Sequence, residues 1–136
     1  MRIIGLFGHG NCGKSETLNT LKELLRAEGR SISTMPHPWN EMPETFEYRG
    51  KVVCVAPGGD NGDKLIENIR YFKMKNSEVA ITATRCKGGS VEELQKFAES
   101  ESVVIEWVAK SYEYNLSKET QTQCNRETAE VLLKRI

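Results

Sequence analysis

Gly8-His9-Gly10-Asn11-Cys12-Gly13-Lys14-Ser15 constrains this chain more than any other stretch, because of what stands on either side of it. The apolar run Ile3-Ile4-Gly5-Leu6-Phe7 reads as a short buried strand, and Leu18, Leu21 and Leu25 recur at helical spacing after the glycines. Strand, glycine loop and helix therefore follow one another within about twenty-five residues. A loop of this kind can wrap its amides around an anion, since glycine reaches positive φ and presents no Cβ to the ligand. The helix opening near Gly13 adds free N–H groups and the positive end of its dipole. Lys14 supplies a point charge for β- and γ-phosphate oxygens, and the Ser15 hydroxyl can ligate Mg²⁺, which the ammonium cannot.

Residues 8 to 15 match the G-x-x-x-x-G-K-S pattern at every fixed position, and here the chain resembles the P-loop NTPase superfamily and its Walker A motif. The resemblance implies a nucleoside triphosphate cradled by Gly8, His9, Gly10, Asn11, Cys12, Gly13, Lys14, Ser15 and Glu16, with Mg²⁺ as its companion ion. Cys12 stands beside Lys14 and the helix start, where positive charge favours the reactive thiolate.

The remaining chain reads as alternating strands and helices. Gly29 stops the first helix at about residue 28, and Ser31 to Met35 suggests a short strand. Three prolines within 36 to 43 make a loop. Val52 to Ala56 is a continuous apolar run of a strand covered on both faces, and Pro57-Gly58-Gly59 ends it. A helical stripe follows over about 62 to 75, then a strand at Val79 to Thr84. Ser90-Val91-Glu92-Glu93 reads as a capping box for a helix reaching about Ser100. Val103 to Val108 is the last strand, and Ser117 caps a helix with Cys124, Thr128, Val131 and Leu132 on one side. This order predicts one α/β domain over 1–136, a three-layer sandwich with a mainly parallel sheet of about five strands. Ligands in such sheets bind beyond the strand C-termini, which selects the loops after Phe7, Met35, Ala56, Thr84 and Val108.

Those loops supply the other candidate residues. Asp60, in Gly58-Gly59-Asp60-Asn61-Gly62-Asp63, reads either as a second metal contact or as a helix N-cap. Arg85, after the Val79 strand, is the candidate for clamping a transferring phosphoryl group, with Lys87 as a second cation. The stretch TFEYRGKVVCVAPGG, Thr45 to Gly59, resembles small GTPases, with a hairpin at Tyr48-Arg49-Gly50-Lys51 and a turn glycine at Gly59. Ala56, however, stands where that family carries an aspartate, and of its N-K-x-D motif Ala109-Lys110-Ser111-Tyr112 keeps only Lys110. A resemblance to small P-loop kinases would place a phosphoryl acceptor in the 36–49 loop, around His37, Trp39, Glu41 and Glu44.

The expectation from sequence is an Mg-nucleoside triphosphate-binding protein that hydrolyses slowly, with Lys14, Asp60 and Arg85 as catalytic candidates and Ser15 and Asp60 as metal ligands. ATP is preferred because the guanine motif is absent, and GTP is the alternative. Phosphotransfer to a small molecule, a divergent GTPase-like switch and a nucleotide-dependent binding module working with a protein partner are the competing readings. The charge balance of 19 against 19 offers no bulk field for nucleic acid or membrane. The brief apolar opening and the four scattered cysteines, at 12, 54, 86 and 124, fit a cytoplasmic chain with free thiols.

Overall fold

The computed structural model describes residues 1–33, 42–112 and 116–136. Strand β1 (Arg2–Phe7) leads through the glycine loop into α1 (Lys14–Glu28). A two-residue strand β2 (Arg30–Ser31) precedes β3 (Glu44–Tyr48) and β4 (Lys51–Ala56), and α2 (Gly62–Met74) follows. The chain continues with β5 (Val79–Thr84), α3 (Gly89–Ser100), β6 (Ile105–Ala109) and α4 (Lys118–Arg135).

The six strands form one sheet in the order β2-β3-β4-β5-β1-β6. β1 pairs in parallel with β5 and β6, and β4 pairs in parallel with β5. The expected sheet of about five strands thus gains a sixth, and one end of it is antiparallel: β2 against β3, and β3 against β4. The turn within Tyr48–Lys51 is the anticipated hairpin, with Arg49 and Gly50 both at positive φ (51° and 74°), the backbone that a tight two-residue hairpin turn requires.

Alternation along the buried strands builds two cores. Ile4, Leu6, Val53, Val55, Val79 and Ile81 point to one face, where Leu18, Leu21 and Leu25 of α1 meet Ala129 and Leu132 of α4. Ile3, Cys54, Ala56 and Ala80 point to the other, under Leu65 and Phe72 of α2 and Leu94 and Phe97 of α3. This is a three-layer α/β arrangement, and it has a functional corollary. The chain leaving β1 turns to the α1 face while the chain leaving its neighbour β5 turns to the α3 face, so the crevice between their C-terminal ends is the switch point of the sheet. The glycine loop sits there.

Several local expectations shift. β6 starts at Ile105 rather than Val103, and Val104 is left 88 % exposed. On α4 the stripe read through Cys124, Thr128, Val131 and Leu132 keeps only Leu132 as a buried residue; the buried positions are Asn125, Ala129 and Leu132, and the polar Asn125 hid the true phase. Ser117 does cap α4, accepting from the Thr120 N–H. Ser90 does not cap α3: the helix begins at Gly89, and the Ser90 hydroxyl accepts instead from the Arg85 N–H at 3.1 Å.

One charged cluster joins α1 to β3. Glu44 is buried and takes two hydrogen bonds from Arg26, at 2.6 and 3.1 Å, with the Lys22 ammonium 3.6 Å away. Lys22 is fully buried and donates to the Met42 carbonyl; burial pushes its ammonium below the usual lysine range, against the opposing pull of Glu44. Removing the carboxylate's charge would leave buried Lys22 facing the partly exposed Arg26 without that anion between them. Glu44→Gln is therefore expected to lower unfolding stability by about 3 kcal/mol in urea denaturation. Lys22→Met, which leaves the bidentate Arg26–Glu44 pair intact, should fall well short of that. A Glu44→Gln loss no larger than a surface substitution, about 0.5 kcal/mol, would show that the cluster does not hold β3 to α1.

Candidate functional site

The end of β1 is clamped from both sides before the loop begins. The Gly8 N–H donates to the Thr84 carbonyl of β5 at 3.3 Å, and the Phe7 carbonyl accepts from the Lys110 N–H, just past β6, at 2.8 Å. The loop then curls back. Its lysine is buried, and the ammonium donates to the Gly8 carbonyl at 2.6 Å and the His9 carbonyl at 2.9 Å. Among the described residues no carboxylate lies within ion-pair distance of Lys14. A buried ammonium with three N–H donors is thus held by two neutral acceptors, beside the free amides of the first turn of α1.

Gly13 fixes the entry to that helix. It adopts φ 85°, and a Cβ there would run into the Tyr112 hydroxyl and the Asn125 side chain. Those two residues brace the loop from behind. The Tyr112 hydroxyl donates to Asn125 Oδ1 at 2.8 Å, and the Thr17 hydroxyl donates to the Gly13 carbonyl at 2.6 Å while lying 3.3 Å from the same Asn125 oxygen. The Lys110 ammonium lies 4.1 Å from the centre of the Tyr112 ring, a close cation–π contact. Burial pushes the Lys110 ammonium below its ordinary range and the Tyr112 phenol above its own. The match of Lys110 to a guanine motif thus has a different structural basis: the side chain is buried against the loop's support.

Opposite the loop stand Asp60 and Arg85. Asn61, not Asp60, caps α2, its side chain accepting from the Lys64 N–H at 2.9 Å, so the Asp60 carboxylate is not spent on capping. Gly59 lies so close to the Ala83 carbonyl that no Cβ fits. Asn68 of α2 donates to the Gly58 carbonyl and to the Thr82 hydroxyl, tying the post-β4 loop to β5. That packing turns Asp60 toward Arg85, with 4.0 Å between the carboxylate and the guanidinium Nε. Both side chains are at least half exposed, so the pair is weak. The Arg85 guanidinium nitrogens come within 3.3 and 3.4 Å of where a Gly10 Cβ would sit. The loop, Arg85 and Asp60 therefore share one mouth.

Not every candidate joins them. Glu44, expected near an acceptor, is locked in its buried ion pairs. Residues 44–49 of the 36–49 segment are strand β3 and the start of its hairpin turn. His37, Trp39 and Glu41 lie outside the described residues. Asn11 and Glu16 are exposed at the loop, and Ser15 is half-buried with its hydroxyl making no hydrogen bond among the described residues. Ser15 and Asp60 are hard oxygen donors that suit Mg²⁺, which binds through few protein ligands and keeps waters and phosphate oxygens for the rest. Among the described residues no cluster of three His, Cys, Asp or Glu side chains could hold a metal without such outside ligands. Tyr112, Asn125 and Thr17 were missed in the sequence. The only signal was a polar Asn125 in phase with Ala129 and Leu132.

Fold and site together define a three-layer α/β protein with a glycine loop at the switch point of a mostly parallel sheet. Comparison with known proteins goes no further: no family model, no curated protein and no solved structure matches the chain. No helix among the described residues is long and apolar enough to cross a membrane.

The thiols report on loop access. Cys12 is buried, with its thiol packed against Gly8, and burial opposes the ready reactivity expected of it. Cys54 is buried too, and burial pushes its thiol up. Iodoacetamide labelling followed by peptide mass spectrometry should modify exposed Cys86 first, half-buried Cys124 later, and Cys12 and Cys54 slowest. Cys12 labelling as fast as Cys86 would mean that the loop is open in solution.

Proposed function

We propose that this protein binds an Mg-nucleoside triphosphate in the loop of residues 8–15 and hydrolyses it slowly. The observation that carries the reading is Lys14: a buried cation with a donor to spare and, among the described residues, no carboxylate partner, next to the free amides of a helix start. Burial of an ammonium without an anion is costly unless an anion arrives to use it. The GKS pattern, its strand–loop–helix setting and its place at the switch point all favour a phosphate chain as that anion.

In this reading the loop amides and Lys14 bind the β- and γ-phosphates and stabilise the charge that develops on the γ-phosphoryl oxygens. Ser15 and Asp60 would hold Mg²⁺, which when bound would neutralise phosphate charge. Arg85 faces the γ end from across the mouth, where it screens the transferring group. Asp60 orients the attacking water. No glutamate follows β4 to serve as a base, so turnover is slow unless a partner completes the site. ATP is the preferred nucleotide, since nothing corresponds to the aspartate that would read guanine.

Calorimetric titration with Mg-ATP and Mg-GTP in parallel tests this. Lys14→Ala removes at least one charge-assisted interaction with phosphate and should weaken triphosphate binding about 100-fold. Unchanged affinity in a folded Lys14→Ala protein, or no binding to the native chain, would sink the assignment. Bound Mg-ATP should also slow Cys12 alkylation further while leaving Cys54 as it was, because Cys12 is part of the loop that closes on phosphate.

A further inference from the structure

Beside the glycine loop lies a second opening with different chemistry. A cavity of about 290 Å³ is lined by Phe7 at the end of β1, Arg85 and Cys86 after β5, Val91 and Gln95 of α3, and Trp107 of β6. Its floor is aromatic. The Trp107 indole lies across Gly5, so close that a Cβ on Gly5 would come within 2.7 and 2.8 Å of the ring carbons Cζ3 and Cε3. Glycine at position 5 is thus what lets a large ring lie down on a central strand. Phe7 meets that indole edge-on, with 5.7 Å between centroids and 87° between planes. Trp107 remains half-buried, with part of its surface toward solvent, although it could have been covered as an ordinary core residue.

The polar groups around this floor are few and unlike one another. Gln95 is exposed and brings a neutral amide. Arg85 brings the one full charge among the lining residues, and its only acidic neighbour among the described residues is Asp60, 4.0 Å away and largely in water. Such a pair contributes little and yields readily to a better-placed anion. A flat π surface, an aliphatic wall at Val91, an amide and one weakly engaged guanidinium define the complement: a planar ring bearing a negative group.

We propose that this pocket is a separate binding site for a small aromatic carboxylate, its ring on Trp107 and Phe7 and its anion on Arg85. The site stands independently of the triphosphate reading, because it needs neither Lys14 nor Mg²⁺. Arg85 nonetheless belongs to both openings, so a ligand here would sit within reach of whatever the loop holds.

The test uses 2-naphthoate as probe on the nucleotide-free protein, following the indole N–H signal of Trp107 by NMR, with Trp39→Phe to assign it. A saturable shift is expected, and naphthalene-2-carboxamide, the neutral analogue, should bind about 5-fold more weakly. Arg85→Gln should weaken 2-naphthoate by a similar factor while leaving the carboxamide unchanged. Gln95→Trp, an exposed change that places a bulky ring over the opening, should abolish both; Lys14→Ala should bind 2-naphthoate as the native chain does. No saturable shift, equal binding of acid and amide, or loss in Lys14→Ala would overturn the proposal, the last by placing the probe in the glycine loop. Displacement of the probe by adenosine would overturn it as well, since the pocket would then belong to a nucleobase. Failure of triphosphate binding in the calorimetric titration leaves each of these outcomes as it stands.

Discussion

Parallel pairing of β1 on both of its edges is the constraint from which the rest of the molecule follows. Held by β5 on one side and β6 on the other, β1 cannot shift without breaking two ladders. The clamp extends one residue beyond the strand, through the Gly8–Thr84 and Phe7–Lys110 hydrogen bonds. Flanked in this way, the loop leaves β1 at a fixed height above the sheet. Because α1 and α3 lie on opposite faces, the loop emerges where the two connections part. The position that leaves Lys14 without a carboxylate partner among the described residues is thus a product of topology as much as of motif.

The loop is supported from α4 and the segment after β6, and this couples distant parts of the chain. Asn125 receives the Tyr112 hydroxyl and lies near the Thr17 hydroxyl, so a single buried amide oxygen gathers α1, α4 and the post-β6 segment behind Gly13. Such a network rigidifies only if its members are satisfied, and here the Tyr112 hydroxyl donates to Asn125 while the Thr17 hydroxyl beside it donates to the Gly13 carbonyl. Rigidity behind the loop matters for charge stabilisation in front of it. Amides aimed in advance need not reorganise when an anion arrives.

How much of this was legible in the sequence depends on separation along the chain. Residues 8–16 could be read because the physics is local: strand, glycines, lysine and helix start lie within one short segment. Asp60 and Arg85 could be nominated, though not joined, because the rule that ligands gather at strand C-termini picks loops without saying which side chains meet. What joined them was the packing of Gly59 on Ala83 and of Asn68 on Gly58, contacts between elements that leave no periodic trace. Ser90 shows the opposite failure. Its capping signal was real in type, a hydroxyl at a helix start, but the hydroxyl serves the Arg85 N–H. The Glu44 cluster was invisible for a related reason, since a glutamate opening an edge-side strand looks the same whether it faces water or two cations under α1.

Arg85 is where these threads meet. Its backbone is set by Ser90, its guanidinium stands against Gly10, its nearest acid among the described residues is Asp60, and it lines the Trp107 pocket. A half-exposed arginine with a weak partner is ordinary on a protein surface. One that stands between the glycine loop and an aromatic shelf is less so, because a guanidinium is planar and can present one edge to phosphate or carboxylate while its face rests on a ring. An anion on either side would draw the same charge. Occupancy of one opening would therefore alter the other through differential use of a single side chain, with no rearrangement of the sheet, and by linkage the effect would be equal in both directions.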